Sequence, residues 1–177
     1  MLRRREGGGL VPRGSTGERY QMKERLISIG DDFYIENEHG QRCFKVDGKA
    51  LRIRNTLIFE DMQGHELATI QEKMLRVKDT MNIERGGRVV ASVKKALITP
   101  LRDRYTLNIQ GGPDMEIQGN ILDHEYRIEQ GRQPVAEVSK KWFRVRDTYG
   151  VEVAPGQDAV LLLAATAAID QMSHAAR

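Results

Sequence analysis

Residues Asp158 to Asp170 read DAVLLLAATAAID, and from Ala159 to Ile169 the only polar side chain is Thr166. Alanine and leucine dominate the run, and both are strong helix formers. Asp158 stands just after Pro155 and Gly156, where an N-cap is expected. Such a helix has no polar face, so it must be enclosed by protein or by lipid. Eleven residues rising 1.5 Å each cover about 16 Å, roughly half of a bilayer core, which argues against a membrane span. The run predicts a buried helix from about Asp158 to Met172. Leu161, Leu162, Leu163, Ala165 and Ile169 are its core residues.

Everything before this helix alternates with period two. Phe33 and Ile35, Phe44 and Val46, Leu51 and Ile53, and Leu75 and Val77 each share a face. So do Met81 and Ile83, then Val89, Ala91 and Val93, then Tyr105, Leu107 and Ile109. Met115 and Ile117, Tyr126 and Ile128, Ala136 and Val138, Phe143 and Val145, and Val151 and Val153 complete the series. Charged residues fill the opposite face, the mark of a sheet buried on one side. Turn residues separate the runs at Asp47-Gly48, Gln63-Gly64, Gly86-Gly87, Gly111-Gly112-Pro113, Gly119-Asn120 and Gly131. About a dozen strands at this spacing predict an all-β barrel or sandwich. With one apolar helix at the end, the picture is strands wrapped around a helix.

Residues 83–95, IERGGRVVASVKK, align with 128–140, IEQGRQPVAEVSK, at a constant offset of 45. A third copy, FEDMQGHELATIQEK from Phe59 to Lys73, fits if its turn holds one extra residue. The repeat points to a meander of like hairpins. Pro134 within a strand marks an edge or a bulge.

The pI of 9.1 invites nucleic acid as a partner, but the charge is local. Residues 1–19 hold five arginines and two glutamates, and Tyr20 onward is balanced at 23 basic and 23 acidic residues. A neutral domain disfavours nucleic acid. The glycine-rich 1–19 segment reads as a disordered tail before a single domain at 20–177. Within it, Leu10 to Ser15 spells LVPRGS, identical to the thrombin-cleavage linker of expression vectors, and it is given no weight in fold or function. The single cysteine, Cys43, excludes an internal disulfide framework and a cysteine-rich zinc site, and it suits a reducing compartment. No secretory signal is read, so a cytoplasmic protein is expected, soluble or peripheral at the membrane.

The stretches RLISIGDDFYIENEHGQRCFKVDGKAL, LIFEDMQGHELATIQEKML, ILDHEYRIEQGRQPVAEVSKKWF, DTYGVEV and DAVLLLAATAAID occur in this order from about Tyr20 to Met172. In them the chain resembles the LURP-one-related family of the tubby C-terminal-like superfamily, which also holds the phospholipid scramblases. The resemblance implies a mainly β fold, a closed barrel of about twelve mostly antiparallel strands around a central C-terminal hydrophobic helix. It brings no catalytic motif and no cofactor. Plant members of the family are associated with defence responses, and bacterial members are largely uncharacterised.

Enzymatic chemistry finds little support in the residues. Asp123-His124-Glu125 look like metal ligands, but neighbours on a strand point to opposite faces and cannot converge. His39, His65, His124 and His174 are scattered without ligand spacing. Ser28, Ser92, Ser139 and Cys43 lack an activating context, and there is no Walker loop or dinucleotide fingerprint. The expectation is a protein without catalytic residues, metal or cofactor.

Basic residues offer a better lead. Arg52 with Arg54, Arg76 with Lys78, and Arg144 with Arg146 are strand pairs on an outer face. Lys140 and Lys141 run into Trp142 and Phe143, a pairing suited to a membrane surface. If those strands are neighbours, the eight cations form a groove able to grip phosphates. Tubby-type barrels bind phosphoinositides, so the resemblance implies the same class of ligand, although no tubby binding position aligns with this chain. The competing reading is a solvated β surface with the bases neutralised by acids on adjacent strands. Trp142 is expected to be buried or half-buried. Three functions are carried forward: a module binding phosphoinositides or anionic headgroups, a protein scaffold using an exposed strand edge or loop, and scramblase-like lipid translocation. The last needs a membrane-inserting segment, and the one apolar helix is not free if it fills the barrel.

Overall fold

The computed structural model describes residues 17–24, 32–47, 56–72, 80–96 and 104–175. Twelve strands precede one helix: β1 Glu18–Lys23, β2 Phe33–Asn37, β3 Arg42–Asp47, β4 Thr56–Glu60, β5 Glu66–Glu72, β6 Thr80–Arg85, β7 Arg88–Ala96, β8 Arg104–Ile109, β9 Met115–Asn120, β10 Glu125–Gln130, β11 Gln133–Ser139, β12 Thr148–Val153 and α1 Ala159–Ala175. Each strand pairs antiparallel with its sequence neighbours, and β1 closes the ring by pairing with both β2 and β12. The expected closed barrel is therefore the observed one. Closure gives every described strand a neighbour on both sides, so none is an edge strand of the sheet.

The first strand begins at Glu18, two residues earlier than expected, and the Arg19 guanidinium bonds the Glu152 carboxylate of β12. Leu51, Ile53, Leu75 and Val77 lie outside the described residues, as do Arg52, Arg54, Arg76 and Lys78.

The sequence repeat has a structural meaning. Ile35↔Phe44, Phe59↔Ala68, Ile83↔Ala91 and Ile128↔Ala136 face each other across four hairpins. In each, the next residue is a glutamate (Glu36, Glu60, Glu84, Glu129) that skips one position on the partner strand. Cys43, Leu67, Val90 and Val135 are the extra residues of these four β-bulges. The hairpin at Ile35 is a fourth copy that the alignment of repeats missed, and Pro134, opposite Glu129, sits at the bulge of the β10–β11 hairpin as expected. A bulge reverses the inward and outward alternation beyond it. That corrects the place of Val89, which was assigned to the core face and instead points to solvent.

α1 fills the barrel. Every side chain from Leu161 to Ser173 is buried, including all the predicted core residues. Ala164, Ala165, Ala167 and Ala168 are fully buried, and their small size lets strands close around a thin helix. The helix packs against β5, β6, β7 and β12. Its N-terminus is fixed twice, because Asp158 Oδ1 accepts from Leu161 N at 3.1 Å and both Asp158 oxygens accept from the Arg85 guanidinium at 2.6 and 2.8 Å.

An up-and-down ring places its connections at alternate ends. Turns that follow even-numbered strands lie at the end where α1 enters, as the contact between Arg85 of β6 and Asp158 shows. The described connections that follow odd-numbered strands, β9–β10 and β11–β12, lie at the opposite end, where α1 exits. There Asp170 meets His124 in the β9–β10 turn.

Candidate functional site

Two groups of polar residues gather at the exit end, one inside the barrel and one on its rim. The inner group centres on Asp170. His124 Nε2 lies 2.7 Å from Asp170 Oδ1, and both side chains are buried, at 3% and 1% exposure. A carboxylate only accepts, so the proton between them is carried on Nε2. His174 Nδ1 donates to the Asp170 carbonyl at 2.7 Å and stands 3.4 Å from Oδ1. Tyr149 stacks on the His124 ring with centroids 4.3 Å apart. Burial first, and then the Asp170 charge, push the phenols of Tyr126 and Tyr149 well above their ordinary range, so both stay protonated.

This arrangement corrects the strand geometry assumed for Asp123-His124-Glu125. Residues 121–124 form a turn, and His124 adopts φ 52°, a left-handed conformation open to few residue types. That backbone turns the imidazole inward, while Asp123 accepts from the Asn120 amide at 2.6 Å at the surface. Glu125 faces another way again and accepts from the Ser139 hydroxyl at 3.0 Å. The three still do not converge, but the reason is the turn and not strand alternation. The Asp170 partnership was missed. Its signal was an acid within a helix that has no polar face, since a carboxylate enclosed there requires a partner.

The rim group is the β11–β12 loop, residues 140–147. Phe143 and Val145 were expected in a strand, and Arg144 and Arg146 in an outward strand pair. All four lie in this loop instead. The cause is Gly150 on the outer face of β12. A Cβ there would come within 2.8 Å of Trp142 Cε3 and 3.0 Å of the Phe143 ring, so the bare glycine is the seat on which both aromatics fold back. Trp142 is half-buried, as expected, and the Arg19 guanidinium lies 4.9 Å from its ring centroid.

The four cations of the loop differ in freedom. Lys140 Nζ is 2.7 Å from Glu24 Oε1 and Lys141 Nζ 3.8 Å from Glu125 Oε2. Arg146 is almost fully exposed, with Asp147 at 3.7 Å, and Arg144 is exposed with no ion pair among the described residues. Local acids thus hold Lys140 and loosely screen Lys141 and Arg146. No strand groove of paired cations is present in the described residues. The strands that flank 48–55 and 73–79 (β3 with β4, β5 with β6) do end and begin at this same exit end.

Comparison with known proteins is consistent with this architecture. The LURP-one-related family model matches residues 18–170, nearly the whole described chain. The chain belongs to the LURP-one-related family. A LURP-one-related relative from Arabidopsis thaliana, "Protein LURP-one-related 15", is 21% identical over 168 residues, covering 85% of this chain and 77% of its own length. "Uncharacterized protein YxjI" of Bacillus subtilis (strain 168) is 27% identical over 153 residues, 86% of this chain and 92% of that protein. An X-ray structure of an Arabidopsis thaliana protein superposes with a TM-score of 0.63 at 17% identity, covering 97% of this chain and 100% of the other. At that identity the superposition shows the shared fold alone.

Proposed function

We propose that this LURP-one-related barrel is a non-catalytic module that binds anionic phospholipid headgroups, phosphoinositides among them, at the cytoplasmic membrane surface. The observation that carries it is the exposed stretch from Arg144 to Arg146, held above a Trp142–Phe143 anchor at one end of the barrel. Lys141 adds a third exposed cation whose carboxylate neighbour at 3.8 Å is a weak competitor for a phosphate. A basic residue near an anionic surface contributes about 1 kcal/mol, so three contribute about 3 kcal/mol, or on the order of a hundredfold in affinity. Arg52, Arg54, Arg76 and Lys78 belong to the same proposal but lie outside the described residues. Among the described residues no helix is long and apolar enough to cross a membrane. The enclosure of α1 argues against its use in lipid translocation.

Co-sedimentation with phosphatidylcholine vesicles, with and without phosphatidylserine or a phosphoinositide, tests the reading. The full chain is compared with one starting at Glu18, because the net charge resides in the residues before it. Binding is expected only with anionic lipid and is expected to fall steeply from low to physiological salt, as exposed charges are screened over about 8 to 10 Å. Replacing Lys141, Arg144 and Arg146 by glutamine should abolish it while leaving the melting temperature nearly unchanged. Undiminished binding in that variant would sink the reading.

The non-catalytic part has its own check. The interior, where a closed sheet could hold a substrate, is occupied by α1. A screen for esterase, phosphatase, phosphodiesterase and glycosidase activity, with and without divalent metals, is expected to find none. A saturable activity that follows the chain through two unrelated separations would overturn it.

A further inference from the structure

Among the described residues four large apolar side chains are exposed: Met62 at 43%, Val89 at 38%, Leu122 at 40% and Val145 at 56%. The ring's alternation sorts them by end. Met62 lies in the β4–β5 turn and Val89 in the first residues of β7, both toward the entry end. Leu122 lies in the β9–β10 turn and Val145 in the β11–β12 loop, both at the exit end. The two exit-end connections are also tied to each other. Glu125, which follows the turn, accepts from Lys140 N at 3.1 Å and from the Ser139 hydroxyl at 3.0 Å.

We infer that the exit end is a membrane-insertion face, with Leu122 and Val145 entering the bilayer and α1 standing with its C-terminus toward the lipid. This rests on the headgroup-binding reading above and adds to it a hydrophobic contact and an orientation. Charge selects the lipid as occupant. Val145 lies between Arg144 and Arg146 in the chain, and Lys141 is exposed in the same loop, so cations flank this apolar tip and suit an anionic surface. The acids next to the two tips are engaged: Asn120 donates to Asp123 at 2.6 Å, and Asp147 lies 3.7 Å from Arg146. At the other end Met62 lies in an acidic turn, between Glu60, Asp61 and Glu66, with Glu60 3.5 Å from Lys45 and Asp61 2.8 Å from His65, and neither of its neighbours in the chain is a cation. Val89 stands on the flank of the barrel, turned outward by its bulge.

Both tips are also preorganised, which lowers the ordering cost of insertion. Asn120 Oδ1 accepts from Asp123 N at 3.2 Å, and His124 N donates to the Ile121 carbonyl at 3.2 Å. The Val145 carbonyl accepts from the Thr148 hydroxyl at 2.7 Å. The buried His124 and Asp170 secure the β9–β10 turn from inside, so the turn carrying Leu122 is anchored to the end of α1.

The test places an environment-sensitive NBD label at Leu122→Cys, Val145→Cys, Met62→Cys or Val89→Cys, each in the full chain carrying Cys43→Ser. The probe is phosphatidylcholine vesicles containing a minority of phosphatidylserine. Emission is expected to shift to the blue and brighten at positions 122 and 145 and to stay unchanged at 62 and 89. In parallel, Leu122→Ser and Val145→Ser, which leave the charge alone, should each weaken binding about tenfold without changing its salt dependence. Vesicle binding with no shift at 122 and 145 would overturn the insertion and leave the charge-driven reading standing. A shift at 62 or 89 equal to theirs would overturn the orientation. Absence of vesicle binding by the unlabelled parent would overturn both readings.

Discussion

A chain ending at Pro155 is expected to lose its cooperative fold and to aggregate. It lacks Leu161, Leu162, Leu163 and Ile169, all buried by the barrel wall. Burying each contributes about 1.5 to 3 kcal/mol, so their loss removes about 6 to 12 kcal/mol against a typical domain stability of about 5 to 15 kcal/mol. The inward residues of the strands, among them Phe59, Ile70, Ile83 and Val93, would lose the partner that excludes water from the barrel. Circular dichroism with size-exclusion chromatography reads the outcome. A monomer that melts in one sharp transition would show that the sheet closes without its plug.

The second large effect is expected from His124→Ala. Asp170 is 1% exposed at its side chain, and this substitution removes its imidazole partner while the carboxylate stays enclosed. Taking away a hydrogen-bonding partner of a buried carboxylate costs about 3 kcal/mol. For a domain of this size that corresponds to a melting temperature lower by about 10 °C. Replacing both residues together, as His124→Leu with Asp170→Leu, should recover part of the loss, because the carboxylate that lost its imidazole partner is then removed too. The other latch on the helix provides the contrast. Arg85 and Asp158 are bonded through both oxygens, yet their side chains are 33% and 45% exposed. Arg85→Gln should therefore cost no more than about 1 kcal/mol. Equal losses in His124→Ala and Arg85→Gln, measured by thermal or urea unfolding, would show that burial does not set the difference.

Much of the fold was legible because its signals are local and periodic. The enclosed helix follows from the lack of any polar face between Ala159 and Ile169, and the strands follow from period-two alternation. The repeat at 59, 83 and 128 was legible as sequence, but its physical content is a bulge on the partner strand opposite each Φ-Glu pair. Alternation alone cannot show a bulge, which is why Val89 was assigned to the wrong face. The site was less legible for a similar reason. Arg144 and Arg146 alternate like strand residues, yet Trp142 and Phe143 fold back onto Gly150 and pull the segment into a loop. Nothing within residues 140–147 announces a glycine on a later strand as their seat.

The amino-acid sequence by itself determined the class of protein: a one-sided sheet of about a dozen strands, a helix that must be buried, and a domain without net charge. These follow from side-chain hydrophobicity at fixed periods, a property that each segment carries alone. Only the tertiary structure decided which residues share an end of the barrel. Ring closure placed the β9–β10 turn and the β11–β12 loop together, brought His124 to Asp170 across 46 positions of chain, and set Leu122 beside the same rim as Val145. Such neighbours are set by strand pairing and the parity of connections around a closed sheet, and no single segment encodes that count.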